Sequence, residues 1–211
     1  MKKFELTAES KINIFGKKLF RIKALISFGD VEEGETGGWI EKEENLEQSS
    51  GNAWVSGDAE VYGNARVYGN AWVSGNARVS GDAEVYGNAR VSGNAWVSGN
   101  AWVSGNARVS GDAEVYGNAR VSGNAWVSGN AWVSGNADYT TIHGFGTQFR
   151  TTTFFQCEDK QIRVSCGCFL GTIPEFREQV KNTREGKIAE EYLMIADLME
   201  KHFVKEKESG E

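Results

Sequence analysis

Cysteine is scarce. The chain of 211 residues has three, Cys157, Cys166 and Cys168, and an odd number gathered in one short stretch argues against a disulfide framework. Histidine is scarcer still, with His143 and His202 and none before them. Two thirds of the protein therefore lacks the side chain most often used as a general base near neutral pH. No apolar run is long enough to span a bilayer, and Met1-Lys2-Lys3 leads into no apolar secretory segment. A basic excess is missing too. The net charge of −6 divides evenly, with −2 in each of 1–50, 51–138 and 139–211. No segment offers the positive charge that would neutralise phosphates, so neither nucleic acid nor a membrane is an expected partner. The cytoplasm is the expected compartment.

What the chain has in abundance is one phrase. Valine recurs every six residues from Val55 to Val133, fourteen times without a gap, within the unit A-x-V-[SY]-G-[ND]. Alternation along a short strand puts Ala and Val on one side, with x and Ser or Tyr on the other. Gly and Asn or Asp then supply the left-handed backbone of a corner. Three such sides close a triangle, Val fills its interior, and stacked triangles form a prism. A helix is excluded, because glycine at every sixth position would cost about 1 kcal/mol each relative to alanine. The expected fold is mainly β: a left-handed parallel β-helix of hexapeptide repeats over 51–138. An N-terminal β cap over 1–50 and a small C-terminal α+β unit over 139–211 flank it.

Residues eighteen apart share a face, yet the longest duplication, 75–104 repeated as 105–134, spans thirty. The copied block is thus turned by two faces, and no face carries a regular row of the kind an ice lattice would select. The first face presents Trp54, Trp72, Arg90, Arg108 and Trp126 with small serines beside them. These five residues are the candidate binding surface, the serines being expected to leave the indoles standing proud. The competing account is a self-contained ladder of Arg–Trp and Trp–Trp contacts, each contributing about 0.5–1 kcal/mol to the prism itself.

At the N-terminal end, "KINIFGKKLFRIKALISF" predicts two short strands turning at Gly16-Lys17. Val31, Ile40, Leu46 and Val55 predict an irregular first coil, with Trp39 covering the open end of the core. The words "SFGDVEEGETGGWIEKEENLEQSSGNAWVSGDAEVYGNA" resemble a family of bacterial and prophage-encoded proteins in which a "GGWIEKEENL" segment leads into hexapeptide coils. YdcK-type repeat proteins are more distant relatives. The resemblance spans roughly 20–140 and implies a solenoid and a mobile-element setting, but no activity. Downstream, "TTTFF" and "QIRVS" predict a hairpin turning at Glu158-Asp159-Lys160. Thr172-Ile173-Pro174-Glu175 forms a capping box for a helix to about Asn182, and a second helix is expected from about Glu185 to Val204. "GFGTQFRTTTFF…VSCGCFLGTI" resembles the tail of Gram-positive phage proteins.

Catalytic groups are few. Hexapeptide acyltransferases use a histidine near a subunit boundary beside a protruding loop. Here the repeats carry neither histidine nor insertion, and fold analogy alone does not make an enzyme. The three cysteines with His143 would form a zinc site only if the hairpin gathered them, and C-x8-C-x-C is not a standard zinc spacing. The expectation is buried thiols, with no metal and no cofactor. The reading is a non-enzymatic β-solenoid of phage type that binds or assembles. It is expected to be a homo-oligomer, trimer before dimer, that takes a host protein or a small ligand as partner. Acyl transfer and a purely structural polymer are the alternatives.

Overall fold

The computed structural model describes residues 2–203. Strand β1 (Phe4–Ile12) pairs antiparallel with β2 (Lys18–Ala24), and β2 pairs with β3 (Thr36–Ile40). Fourteen two-residue strands follow, β4 (Trp54–Val55) to β17 (Trp132–Val133), one per hexad. They stack into three parallel sheets, one per face of the prism, and the β1–β2–β3 strands extend the second of these. The repeat alanines from Ala53 to Ala131 and valines from Val55 to Val133 are at most 2% exposed, and Val97 lies between Val79 and Val115. The corner glycines of the middle coils are favoured on two counts. Gly81 has φ of 68°, and a Cβ there would stand 3.0 Å from the backbone nitrogen and oxygen of Gly99.

Hydrogen bonds between coils run one way. Trp72, Ser74 and Asn76 donate their N–H groups to the carbonyls of Ala89, Val91 and Gly93 at 2.8–2.9 Å, and the pattern repeats along the prism. The two rims are therefore chemically opposite: carbonyls face out at the N-terminal end, N–H groups at the C-terminal end. Each rim is closed by matching side chains, since buried backbone groups need partners. Lys3 Nζ donates to the carbonyls of Ser50 and Gly51, Arg21 to Gly57, and the Asn45 amide to Gly63 and Ala65. At the other rim the Asn136 amide oxygen accepts from Arg120 N–H and Thr153 Oγ1 from Trp126 N–H. The Asp138 carboxylate accepts from the N–H groups of Ser134 and Gly135.

The irregular first coil is present, with Ile40 above Val61 and Leu46 bridging Val67. Its tryptophan is not where the sequence placed it. The pleat turns Ile40 inward and so turns Trp39 outward, where the Lys11 ammonium and the Arg21 guanidinium each lie 4.6 Å from its ring. The indole at the covered end is Trp54. Strand β4 is the first of its sheet, with no coil before it, and Phe4 and Phe28 close edge-on over the ring at 6.5 and 5.5 Å.

The C-terminal unit is a four-stranded antiparallel sheet, β18 (Tyr139–Phe145), β19 (Arg150–Gln156), β20 (Ile162–Cys166) and β21 (Phe169–Thr172), backed by helices α1 (Ile173–Thr183) and α2 (Gly186–Phe203). The predicted hairpin is its centre. Strands β18 and β21 escaped notice because one follows the last hexad directly and is bulged between Ile142 and Phe145, and the other is only four residues long. The Thr172 cap is formed, its N–H donating to Glu175 Oε2 at 2.7 Å. The expected helix end at Val204 lies outside the described residues. Phe155 and Cys157 plug the last coil, and Phe154 faces the other way into a second core with Phe176, Tyr192 and Ile195.

Candidate functional site

Of the five residues expected to form the first-face surface, Trp54 is fully buried beneath the cap and is removed from it. Trp72, Arg90, Arg108 and Trp126 remain at the surface, stacked on successive coils in that order. The indoles do not stand proud. Trp72 Nε1 donates to Ser56 Oγ at 3.1 Å and Trp126 Nε1 to Ser110 Oγ at 3.3 Å, so each ring is tied back to the coil before it. On the second face Trp96 does the same with Ser80 at 3.1 Å. The serines hold the tryptophans down instead of clearing space around them.

One rung breaks the pattern of the ladders. Outward residues on neighbouring coils pair Trp with Arg, Glu with Arg or Trp, or Trp with Trp, and Arg90 over Arg108 alone sets like charges together. Like charges directly opposite on a sheet destabilise it. Neither guanidinium has a carboxylate partner among the described residues. Both line a groove of about 630 Å³ that runs along the prism from Gly29 and Asp30 past Trp72. Its far wall is the corner row Asn52, Asn70, Asn88, Asn106 and Asn124. Each of the middle three passes an amide hydrogen bond to the next at 3.0–3.2 Å. The other two corners are interrupted at Asp82 and Asp112, which accept from Asn64 and Asn94 and have no N–H to pass on.

The neighbouring second face is partly occupied. The β1–β2 hairpin lies across it, with Lys11 paired to Glu60 at 2.8 Å and the Phe15 ring 5.5 Å from that of Trp96. The hairpin tip leaves Ile12, Ile14 and Phe15 at 73%, 76% and 48% exposure. Beyond the tip, Asp112, Glu114 and Glu158 surround a cleft floored by Ala131 and Trp132, and none of the three carboxylates has a cationic partner among the described residues. Sequence reading missed both features. The tip was legible as Ile-x-Ile-Phe around a turn, whereas Glu158 joins the acidic cleft only through the bridge of Cys157 to Ala131. The third face is satisfied internally. Tyr68 stacks on Tyr86 at 4.9 Å, the Tyr68 hydroxyl donates to Glu84 at 2.7 Å, and Arg120 covers the Trp102 ring at 4.5 Å. Burial, and then that bond to Glu84, pushes the Tyr68 phenol far above its ordinary range.

A family model of the YdcK beta solenoid repeat matches residues 59–75, 83–99, 101–117 and 113–129. The likeness is to YdcK-type repeats. It covers most of the prism, including Arg90, Arg108 and the acidic Asp112–Glu114 corner, and leaves both ends of the chain unmatched. No curated protein matches the chain.

The cysteines and His143 do not converge. Cys157 is buried in the prism core, whereas Cys166 packs against the second core and Cys168 is exposed. Burial pushes the Cys157 thiol up to about 11. His143 is exposed on β18, its Nδ1 3.2 Å from Thr151 Oγ1. No group of three or more His, Cys, Asp or Glu suited to a metal ion occurs among the described residues. No helix among them is long and apolar enough to cross a membrane.

Proposed function

We propose that this chain is a non-enzymatic assembly and binding module whose prisms associate as a homotrimer, the first face of one copy against the second face of the next. The observation that carries the reading is the pairing of unmatched charge. Arg108 and Glu114 lie on adjacent faces of a single coil and so at one height along the prism. Turning a copy about an axis parallel to the prism, with no slide along it, sets the Arg108 of one against the Glu114 of the next. The same turn sets Arg90 at the height of Trp96 and Trp126 at that of Trp132, which gives a cation–π and an aromatic contact. It also covers the apolar hairpin tip. A two-fold dimer would oppose first face to first face and bring the Arg90–Arg108 rungs together, so a closed heterologous ring is favoured over an isologous pair.

Resemblance of the "GGWIEKEENL" lead-in segment supports a phage or prophage setting. In that setting a rigid module acts by occupying or sequestering a host factor, as in counter-defence. Acyl transfer is the competing class, but the one histidine near the prism, His143, has a hydroxyl and no carboxylate at its Nδ1. The test is a charge swap followed by light scattering. Wild type should have three times the chain mass of 23.2 kDa. Arg108→Glu and Glu114→Arg should each weaken association by about tenfold or more, and the double reversal should restore it. A monomeric wild type ends the trimer reading, and two singles that the double does not rescue would remove this pair from the interface.

A further inference from the structure

The C-terminal unit holds a pocket separate from the prism. It has a volume of about 190 Å³ and opens between the sheet and the two helices. Its floor is apolar, made by Phe169, Phe176 and Val180, and its mouth carries Arg150 and Arg184. The four arginines of this unit divide sharply. Arg163 pairs with Asp159, and Arg177 with Asp197 and Glu200. Arg150 and Arg184 have no carboxylate partner among the described residues, and both line this one pocket. The segment 139–211 is net acidic, so carboxylates are plentiful in its sequence, yet no Asp or Glu lines the cavity.

Two glycines leave room for the side chains around the pocket. A Cβ on Gly167, whose φ is 61°, would stand 2.5 Å from Arg150 Nη1, so the glycine leaves the room in which that guanidinium rests. A Cβ on Gly146 would stand 2.5 Å from the Tyr192 hydroxyl, which donates to the Phe145 carbonyl at 3.2 Å. Arg184 uses one nitrogen on the Thr183 carbonyl at 2.8 Å. Burial, and then Cys166 beside it, raises the Tyr192 phenol, and the Arg184 and Arg150 guanidiniums act against that rise.

We infer that this pocket binds a small organic anion, its phosphate or carboxylate head between Arg150 and Arg184 and its flat apolar body on Phe169, Phe176 and Val180. Guanidinium forks suit such heads because they donate two parallel hydrogen bonds. A cavity of about 150 Å³ holds a benzene ring, so this one takes a single ring with its anionic head at the mouth.

Phenyl phosphate is the probe, with benzoate, inorganic phosphate and benzyl alcohol as companions, titrated calorimetrically into the full-length protein. Phenyl phosphate or benzoate should bind saturably, one per chain, and the tighter of the two identifies the head. Benzyl alcohol and inorganic phosphate should each bind at least about tenfold more weakly, since each lacks half of the recognised groups. Arg184→Gln, at an exposed helix end, and Arg150→Gln should each weaken the charged probe by a similar factor. In wild type, saturating probe should slow alkylation of Cys166 and Cys168 by iodoacetamide, a readout that requires no variant to fold. The inference fails if neither charged ring binds at millimolar concentration, if binding survives both substitutions, or if benzyl alcohol binds as well as the anions. Because each chain carries a whole pocket, the result is independent of whether the prisms form trimers.

Discussion

Replacing Val97 with aspartate tests the inward assignment of the valine row where the prism is most uniform. Val97 is fully buried and is stacked between Val79 and Val115, with Ala95 and Ala113 also inaccessible. Nothing in that interior donates a hydrogen bond, because the backbone N–H groups around it are committed to the next coil, as Trp96 is to Ala113 and Ser98 to Val115. An aspartate there must bury an unpaired carboxylate or take up a proton, and either costs several kcal/mol. Loss of the valine methyls adds about 0.8 kcal/mol for each buried carbon. The sum, roughly 4–6 kcal/mol, is comparable to the whole stability of a modest domain. Val97→Ala is the graded control, expected to cost about 2 kcal/mol. Urea unfolding followed by circular dichroism should show Val97→Asp unfolded or melting in the absence of denaturant, with the Ala variant between it and wild type. A Val97→Asp protein with an unchanged midpoint would refute the inward assignment and with it the register of every coil.

Further outcomes follow from Cys157 and from the period. Cys157 should resist alkylation at pH 8 while Cys168 reacts, and metal analysis should find far less than one equivalent of zinc. Because the folded-state pKa of Cys157 is raised to about 11 from an ordinary 9.0, the preference of the fold for the neutral thiol is fully present below the unfolded value. It is lost as pH rises through that interval, so wild type should lose stability there relative to Cys157→Ala. Equal pH profiles for the two proteins would contradict it. Deleting eighteen residues from the repeat removes a full turn and keeps the C-terminal unit facing the same way, whereas deleting one thirty-residue block rotates it by two faces. Both proteins should fold, and light scattering should find only the eighteen-residue deletion still trimeric. Trimers of both would contradict an interface of first face against second face, because deleting a thirty-residue block takes the Arg108–Glu114 pair off those two faces.

The prism was legible because its signal is redundant: fourteen hexads state the same geometry, and no single residue has to be read correctly. Its N-terminal end was not, because there one residue decides. Trp39 and Trp54 each stand immediately before an inward aliphatic residue, and only the position of the capping hairpin determines which indole is covered. The Ser–Trp tethers join residues sixteen apart. That spacing follows from a coil of eighteen with the serine two places after the outward residue, so it was available from the sequence and was overlooked. The unpaired state of Arg150 and Arg184 was beyond any such count. It depends on where the carboxylates of α2 point once the helix docks on the sheet, and two of them, Asp197 and Glu200, turn to Arg177.

The opposite chemistry of the two rims has a consequence in the terms of polymer synthesis. A prism with bare carbonyls at one end and bare N–H groups at the other is a bifunctional monomer, each end reactive toward the other end of a second copy. Lys3, Arg21 and Asn45 on one rim, and Thr153, Asn136 and Asp138 on the other, are end groups that quench both reactive termini. The repeat by itself has no natural length. The caps give it one, and they convert a sequence suited to an endless fibre into a molecule of fixed size whose growth has been terminated at both ends.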